Sequence, residues 1–232
     1  MVTDWKFPRD GSLYSVDMKE IFPYSVRNDM NNVHTDETVE RLCLEIEEQT
    51  KLMGLMAQYK KKNPNQYEKL NKSKNIYNIQ YTNNQDDGSG GNFSFNPESG
   101  NFDVNIQTDR RRDYSDIEVL THEMTHANQY EDGELGFWVK YDRNDPTKAI
   151  LVVPIAHDIT DEIEAAKQAD KMILVPEGEL RIELRTRTKY SELSPDRTNV
   201  SQYLLDTWGI DINQPDTYNN ALQRVIHNVT VK

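Results

Sequence analysis

The chain has 232 residues and a mass of 27.1 kDa, enough for one generous domain with a buried core. Thirty-nine Asp and Glu against 27 Lys and Arg leave a net charge of −12, which disfavours binding to nucleic acid or to anionic membranes. A single cysteine, Cys43, excludes an internal disulfide framework and any multi-cysteine metal cage. No apolar run is long enough to span a bilayer, and Met1–Lys6 lacks the basic-then-apolar layout of a signal peptide. The expectation is a soluble chain, cytoplasmic or exported by a route that its sequence does not announce.

Residues 1–34, punctuated by Pro8, Gly11 and Pro23, read as an irregular segment. From Asp36 the apolar positions Val39, Leu42, Cys43, Ile46, Leu52 and Met53 recur at helical steps, up to Lys60-Lys61-Lys62 and the Asn63-Pro64 stop. On that stripe Cys43 is a buried, inert thiol. Asn75 to Thr82 alternates as a strand, and Asn83 to Asn92 is a loop. Phe93–Asn96, the turn Pro97–Gly100 and Phe102–Gln107 predict a β-hairpin. Arg110-Arg111-Arg112 is a solvated loop, and residues 135–155 read as a further β or extended insertion. Tyr218 to Val231 has the pattern of an amphipathic helix.

The chemistry is concentrated in Ser115–Gln129 (S-D-I-E-V-L-T-H-E-M-T-H-A-N-Q). Ser115 and Glu118 have capping-box spacing, so a helix begins here. His122 and His126 stand one turn apart on that helix and can share a tetrahedral ion. Glu123 lies about 100° round from His122, near enough to hold a metal-bound water without being a ligand. Ile117, Leu120, Met124 and Ala127 fall roughly 140–220° from His122, which puts the core opposite the histidines and leaves these beside a cleft. This is the H-E-x-x-H arrangement of zinc peptidases.

A catalytic zinc site has three protein ligands and an open position, so a third ligand is needed. Thr160 to Ile173 reads as a helix capped by Asp158 or Thr160. On it Glu162 sits at the centre of an alanine-rich apolar face, where a carboxylate is costly unless something pairs with it. Glu164 falls on the polar side with Lys167. Glu162 is therefore the expected third ligand. Asp132 is the rival, six residues after His126, although the slot that demands a glycine turn in such short-spaced sites is Gln129. His157, Glu131 and Glu134 are the remaining candidates, and Glu131–Glu134 otherwise reads as an exposed acidic turn.

The chain resembles the gluzincin group of zinc metallopeptidases, in which a second helix supplies a glutamate after H-E-x-x-H. Glu162-Ile163-Glu164-Ala165 is similar to the short E-x-x-A second motif of compact bacterial members, and the size is similar to metallopeptidase domains of bacterial effectors and toxins. The resemblance spans roughly Asn92 to Ile173. It implies His122 and His126 as zinc ligands, Glu162 as the third and Glu123 as general base. Members of the group often carry an aspartate four residues after the ligand glutamate, which supports a ligand histidine. Here that residue is Ala166, leaving Asp158 or Asp170 for the task.

The resulting expectation is a single α+β domain with its catalytic core in residues 75–173. A small antiparallel sheet packs on the H-E-x-x-H helix and the glutamate helix, followed by C-terminal helices. The expected activity is hydrolysis of peptide or protein substrates with Zn2+ as cofactor, by an endopeptidase rather than an exopeptidase. The alternative is an inactive zincin-like or acidic interaction domain. Arg181, Arg185, Arg187 and Tyr190 are candidates for stabilising an oxyanion. Phe102–Gln107 alternates apolar and polar residues just before the site helix. Its outer edge is either covered by another strand or, as the resemblance favours, open for an extended peptide to add there.

Overall fold

The computed structural model describes residues 36–83, 90–108, 114–173 and 178–229, with residues 36–43 described by backbone alone. The expectations for residues 1–34, for most of the Asn83–Asn92 loop, for Arg110–Arg112 and for the Cys43 side chain lie outside the described residues.

Helix α1 (Asp36–Lys62) ends in the three lysines, whose charge complements the helix C-terminus. It buries Leu52, Leu55 and Tyr59. Pro64 then opens a second helix, α2 (Pro64–Lys72), which the sequence reading did not anticipate. Proline at the first turn lacks only an N–H that would have no partner there, so here it starts a helix as well as ending one. Tyr67 and Leu70 bury the inner face of α2.

Strands β1 (Tyr77–Thr82), β2 (Gly91–Asn96) and β3 (Asn101–Gln107) form one sheet in the order β1-β3-β2. The hairpin is present as expected: β2 and β3 are antiparallel, Asn96 Oδ1 accepts from Glu98 N and Ser99 N, and Gly100 takes φ +73° to close the turn. β1 pairs in parallel with β3 from Tyr77–Phe102 to Thr82–Gln107, so this sheet is mixed and not purely antiparallel. On its inner face Tyr77, Ile79, Phe102, Val104 and Ile106 are buried, and Phe102 packs against Tyr130 with ring centroids 4.4 Å apart and the rings tilted by 50°. On the outer face amides bond across the strands, Asn78 to Asp103, Gln80 to Asn105 and Asn105 to Asn92.

Helix α3 (Asp116–Glu131) lies on β2 and β3 and is buried on nearly every side. Helix α4 (Ile159–Ile173) packs along it, and α5 (Glu179–Lys189) packs on α4. Between α3 and α4, residues 135–155 form the expected β insertion, β4 (Gly136–Tyr141) and β5 (Ala149–Ile155). Helix α6 (Val200–Trp208) follows α5, and a short 3-10 turn at Pro215–Thr217 leads into β6 (Gln223–Ile226). The second sheet has the order β5-β4-β6 and is antiparallel throughout. Two cores result. The larger runs from α1 through the first sheet to α3, and the smaller gathers Ile155, Ala156, Val200, Leu204, Ile212, Tyr218 and Val225.

Two expectations are corrected. Within Tyr218–Val231, the described residues, up to Val229, are not helical. Asn220 Oδ1 accepts from Leu222 N and Gln223 N, Asn219 Oδ1 accepts from Val225 N, and Gln223–Ile226 joins the edge of β4 as a strand. Asparagine side chains that bond nearby backbone compete with a helix, and a waiting strand edge decides the outcome. Phe102–Gln107 is not an edge either: β3 is central, with β1 on one side and β2 on the other.

Gly91 sets the distance between β2 and α3. A Cβ there would overlap the Asn105 carbonyl oxygen and lie 2.6 Å from Val119 Cγ1. Gly91→Ala is therefore expected to destabilise the protein by about 1–3 kcal/mol, the cost of overpacking a closed contact. Chemical denaturation of the two proteins measures it, and equal midpoints would show that strand and helix can separate freely.

Candidate metal centre

Helix α3 starts where the capping box puts it. Ser115 N donates to Glu118 Oε2 at 2.8 Å, and the reciprocal bond from the N3 backbone is present. Tyr81 Oη donates to Asp116 at 2.6 Å, and Lys51 pairs with the same carboxylate, which ties β1 and α1 to this end of α3. A polar helix can be buried only if its side chains find partners. Thr121 and Thr125 donate to the carbonyls of Ile117 and Thr121 at 2.7 and 2.8 Å, and Asn128 donates to that of Met124 at 2.8 Å.

The entry to α4 carries strain. Ala156, 1% exposed, takes φ +62°, a left-handed conformation that costs a residue with a Cβ on the order of 1 kcal/mol. It persists because the smaller core grips Ile155 and Ala156, and it turns the chain so that His157 and Asp158 enter the helix together. Asp158 is the cap. Its Oδ1 accepts from Thr160 N at 2.7 Å, and its Oδ2 accepts from Thr198 N at 2.7 Å. Glu162 follows in the first turn, 4% exposed.

Three side chains converge between the helices. His122 Nε2 and His126 Nε2 are 3.1 Å apart, Glu162 Oε2 is 3.3 Å from His122, and Glu162 Oε1 is 3.5 Å from His126. The ligand atoms of His122, His126 and Glu162 all lie within 4.8 Å of one another, a group that could hold a metal ion. Glu162 Oε2 has no aligned hydrogen bond although it is buried. His157 joins through Glu162 Oε1 at 3.0 Å, and its ring meets that of His126 edge-on at 5.3 Å. Glu123, also buried, lines a cavity beside His122 together with Gly91, Ala166 and Tyr190.

Burial alone would push the Glu162 carboxyl up, but the three histidines outweigh it and hold the group well below the usual carboxylate range. Burial opposes charge on His126 as well. The Glu162 carboxylate prevails, and the imidazole is pushed up to about 9. Burial raises the Glu123 carboxyl against the pull of His122 and His126. The Tyr190 hydroxyl is raised by burial and then by the charges of Glu162 and Glu123, so it stays protonated facing both carboxylates.

Of the other candidates for the third position, His157 stands at the site against Glu162, and the rest lie elsewhere. Asp132 caps the end of α3 and pairs with Lys69 at 2.5 Å. Glu131 accepts from Ser73, Asn75, Tyr77 and Asn228, so it is a clamp and not an exposed turn, and Glu134 pairs with Arg197. The outer support of His126 is neither Asp158 nor Asp170. It is Gln129, whose Oε1 lies 2.7 Å from His126 Nδ1 and whose Nε2 donates to the Asp161 carbonyl at 3.1 Å. Asp170 pairs instead with Arg185 at 3.7 Å. Sequence reasoning treated Gln129 only as a missing glycine. The available signal was its place three residues after His126, on the same helix face. No protein-family model, curated protein or solved structure matches the chain.

Gln129 Oε1 can only accept, so it takes the Nδ1–H of His126 and leaves Nε2 as the nitrogen that faces the shared centre. Gln129→Leu should weaken binding of a divalent ion such as zinc by about tenfold to a hundredfold, measured by competition with a chromophoric chelator. An unchanged affinity would remove Gln129 from the site. The metal-free protein should also carry a pH signature. Since His126 is raised from 6.5 to about 9, its contribution to stability is complete below pH 6.5 and is lost as pH rises through about 9. The melting temperature in chelator should fall across that window, and a flat profile would contradict the assignment.

Proposed function

We propose that the protein is a zinc-dependent peptidase, with His122, His126 and Glu162 as the ligands of the ion and Glu123 as general base. The observation that carries the reading is the convergence of these three donors beside the buried Glu123 carboxylate. Zinc bonds nitrogen and oxygen at about 2.0–2.1 Å, so a tetrahedral site sets its donors about 3.3–3.4 Å apart. His122 Nε2 lies 3.1 Å from His126 Nε2 and 3.3 Å from Glu162 Oε2, near that spacing, while the 3.5 Å contact to His126 is made by the other carboxylate oxygen. An imidazole, imidazole, carboxylate set with its fourth side open suits catalytic zinc. When bound, zinc supplies Lewis acidity, polarising a carbonyl and making water nucleophilic near neutral pH.

The chain's own residues then divide the work. Glu123, its proton affinity raised by burial, takes a proton from the attacking water and returns it to the leaving nitrogen. Of the four candidates, Arg185 and Tyr190 border the cavity, and Tyr190, which remains a hydroxyl donor beside Glu123, is the one we assign to meet an oxyanion. His157 Nε2 lies 3.0 Å from Glu162 Oε1, the oxygen that also faces His126, and adds a third imidazole beside that carboxylate. The strand bordering the cavity is β2, at one side of the sheet among the described residues, and it takes the place expected for Phe102–Gln107 in aligning an extended peptide. Strand, histidine helix and glutamate helix in this order support a zincin-like arrangement within the α+β fold.

Purified protein should contain one zinc per chain and should cleave an unfolded protein such as casein, with a chelator stopping cleavage and zinc restoring it. Glu123→Gln should keep the zinc and lose about two to four orders of magnitude in rate. A variant that cleaves at the original rate would show that another group moves the proton.

A further inference from the structure

We propose that the cavity beside Glu123 is an anion-reading subsite in which Lys189, assisted by Arg185, binds a substrate carboxylate within one residue of the scissile bond. The inference rests on the peptidase reading only for where that bond lies. Gly91, Ala166 and Ala169 wall one side of the cavity with small side chains, and the C-terminal half of α5 covers the other.

Two cations stand one turn apart on that half of α5, and both border the cavity. Like charges at this spacing repel, so the pair costs stability unless something compensates it. Tyr114 lies under both, 5.9 Å from the Arg185 guanidinium and 6.0 Å from Lys189 Nζ. Lys189 also lies 4.8 Å over the ring of Tyr190, the hydroxyl donor of the proposed mechanism. Of the carboxylates in the wall, Glu118 is committed to the Ser115 cap and Asp170 to Arg185 at 3.7 Å, which leaves Glu123, the proposed general base. Lys189 makes no ion pair among the described residues, yet the aromatic faces hold its ammonium at the cavity.

A cation already confined by two rings loses little freedom when an anion arrives, and this preorganisation separates a binding site from an ordinary solvated lysine. The chain as a whole carries −12, but at physiological salt that field is screened beyond about 8 Å, so the charges in contact with the substrate decide. A substrate carboxylate next to the cleaved bond would neutralise Lys189. It comes either from an Asp or Glu side chain or from the free C-terminus of a short peptide.

The test uses the full chain carrying Glu123→Gln, loaded with zinc, so that bound peptide is not consumed. Fluorescein-labelled hexapeptides are titrated by anisotropy in two pairs, one differing in Glu against Gln and one in a free against an amidated C-terminus. One acid is expected to bind about tenfold more tightly than its neutral partner, and the pair that shows the difference identifies the source of the carboxylate. Adding Lys189→Gln should bring that ratio near one, and Lys189→Glu should invert it. Lys189 is exposed, so unchanged melting temperatures will show that the fold is kept. Equal affinities within both pairs, no peptide binding at all, or a preference that survives Lys189→Glu would each overturn the subsite. Acid-selective binding by a protein that fails to cleave casein would sink the peptidase reading and leave the subsite standing.

Discussion

A carboxylate buried to 4% exposure dictates much of this architecture. An unpaired charge in that position would be protonated or expelled, so Glu162 is tolerable only because His122, His126 and His157 surround it. Those partners come from α3 and from the turn before α4. The pairing therefore fixes the two helices side by side and in register. Aromatic packing on the opposite face of α3 can then be tight, because the helix has only one position to occupy.

The burial of α3 from all sides follows. A helix bearing Glu118, Glu123, His126, Asn128 and Gln129 is an improbable core element by composition. Each of its threonines and Asn128 closes on a carbonyl one turn back, Glu118 folds over the first turn, and Gln129 reaches the backbone of α4. Most of the polar groups are satisfied within the helix or by its immediate neighbour, the buried Asn128 Oδ1 being an exception. Glu123 stands apart from this scheme at the cavity wall, with its proton affinity raised by the burial that stabilises the rest.

What was legible in the sequence was local. The capping box, the four-residue spacing of the histidines and the hairpin turn each involve residues within a few positions of one another, and each is present. Glu162 was legible for a different reason: a carboxylate at the middle of an apolar face needs a partner, and that need can be read before the partner is known. Long-range pairing was not legible. The segment after Tyr218 has helical periodicity, but the edge of β4, some eighty residues earlier, recruits it as a strand. The alternation of Phe102–Gln107 identified a strand with one buried face, but alternation is the same for an edge and for a centre, and the parallel pairing with β1 decided between them. Gln129 was overlooked because its role depends on the Asp161 carbonyl of another helix.

The strained Ala156 belongs to the smaller core, whereas His122 and His126 belong to the helix of the larger one. Asp158, at the head of α4, is further tied to Thr198 and Ser194 on the segment leading into α6. The donor set is thus riveted across a seam between two hydrophobic cores of unequal size. If the smaller core opens on its own, the grip on Ala156 is lost and the first turn of α4 relaxes, carrying Glu162 away from histidines that have not moved. The centre would then be dismantled by a partial excursion costing less than global unfolding, and bound metal would resist that excursion by holding the seam shut.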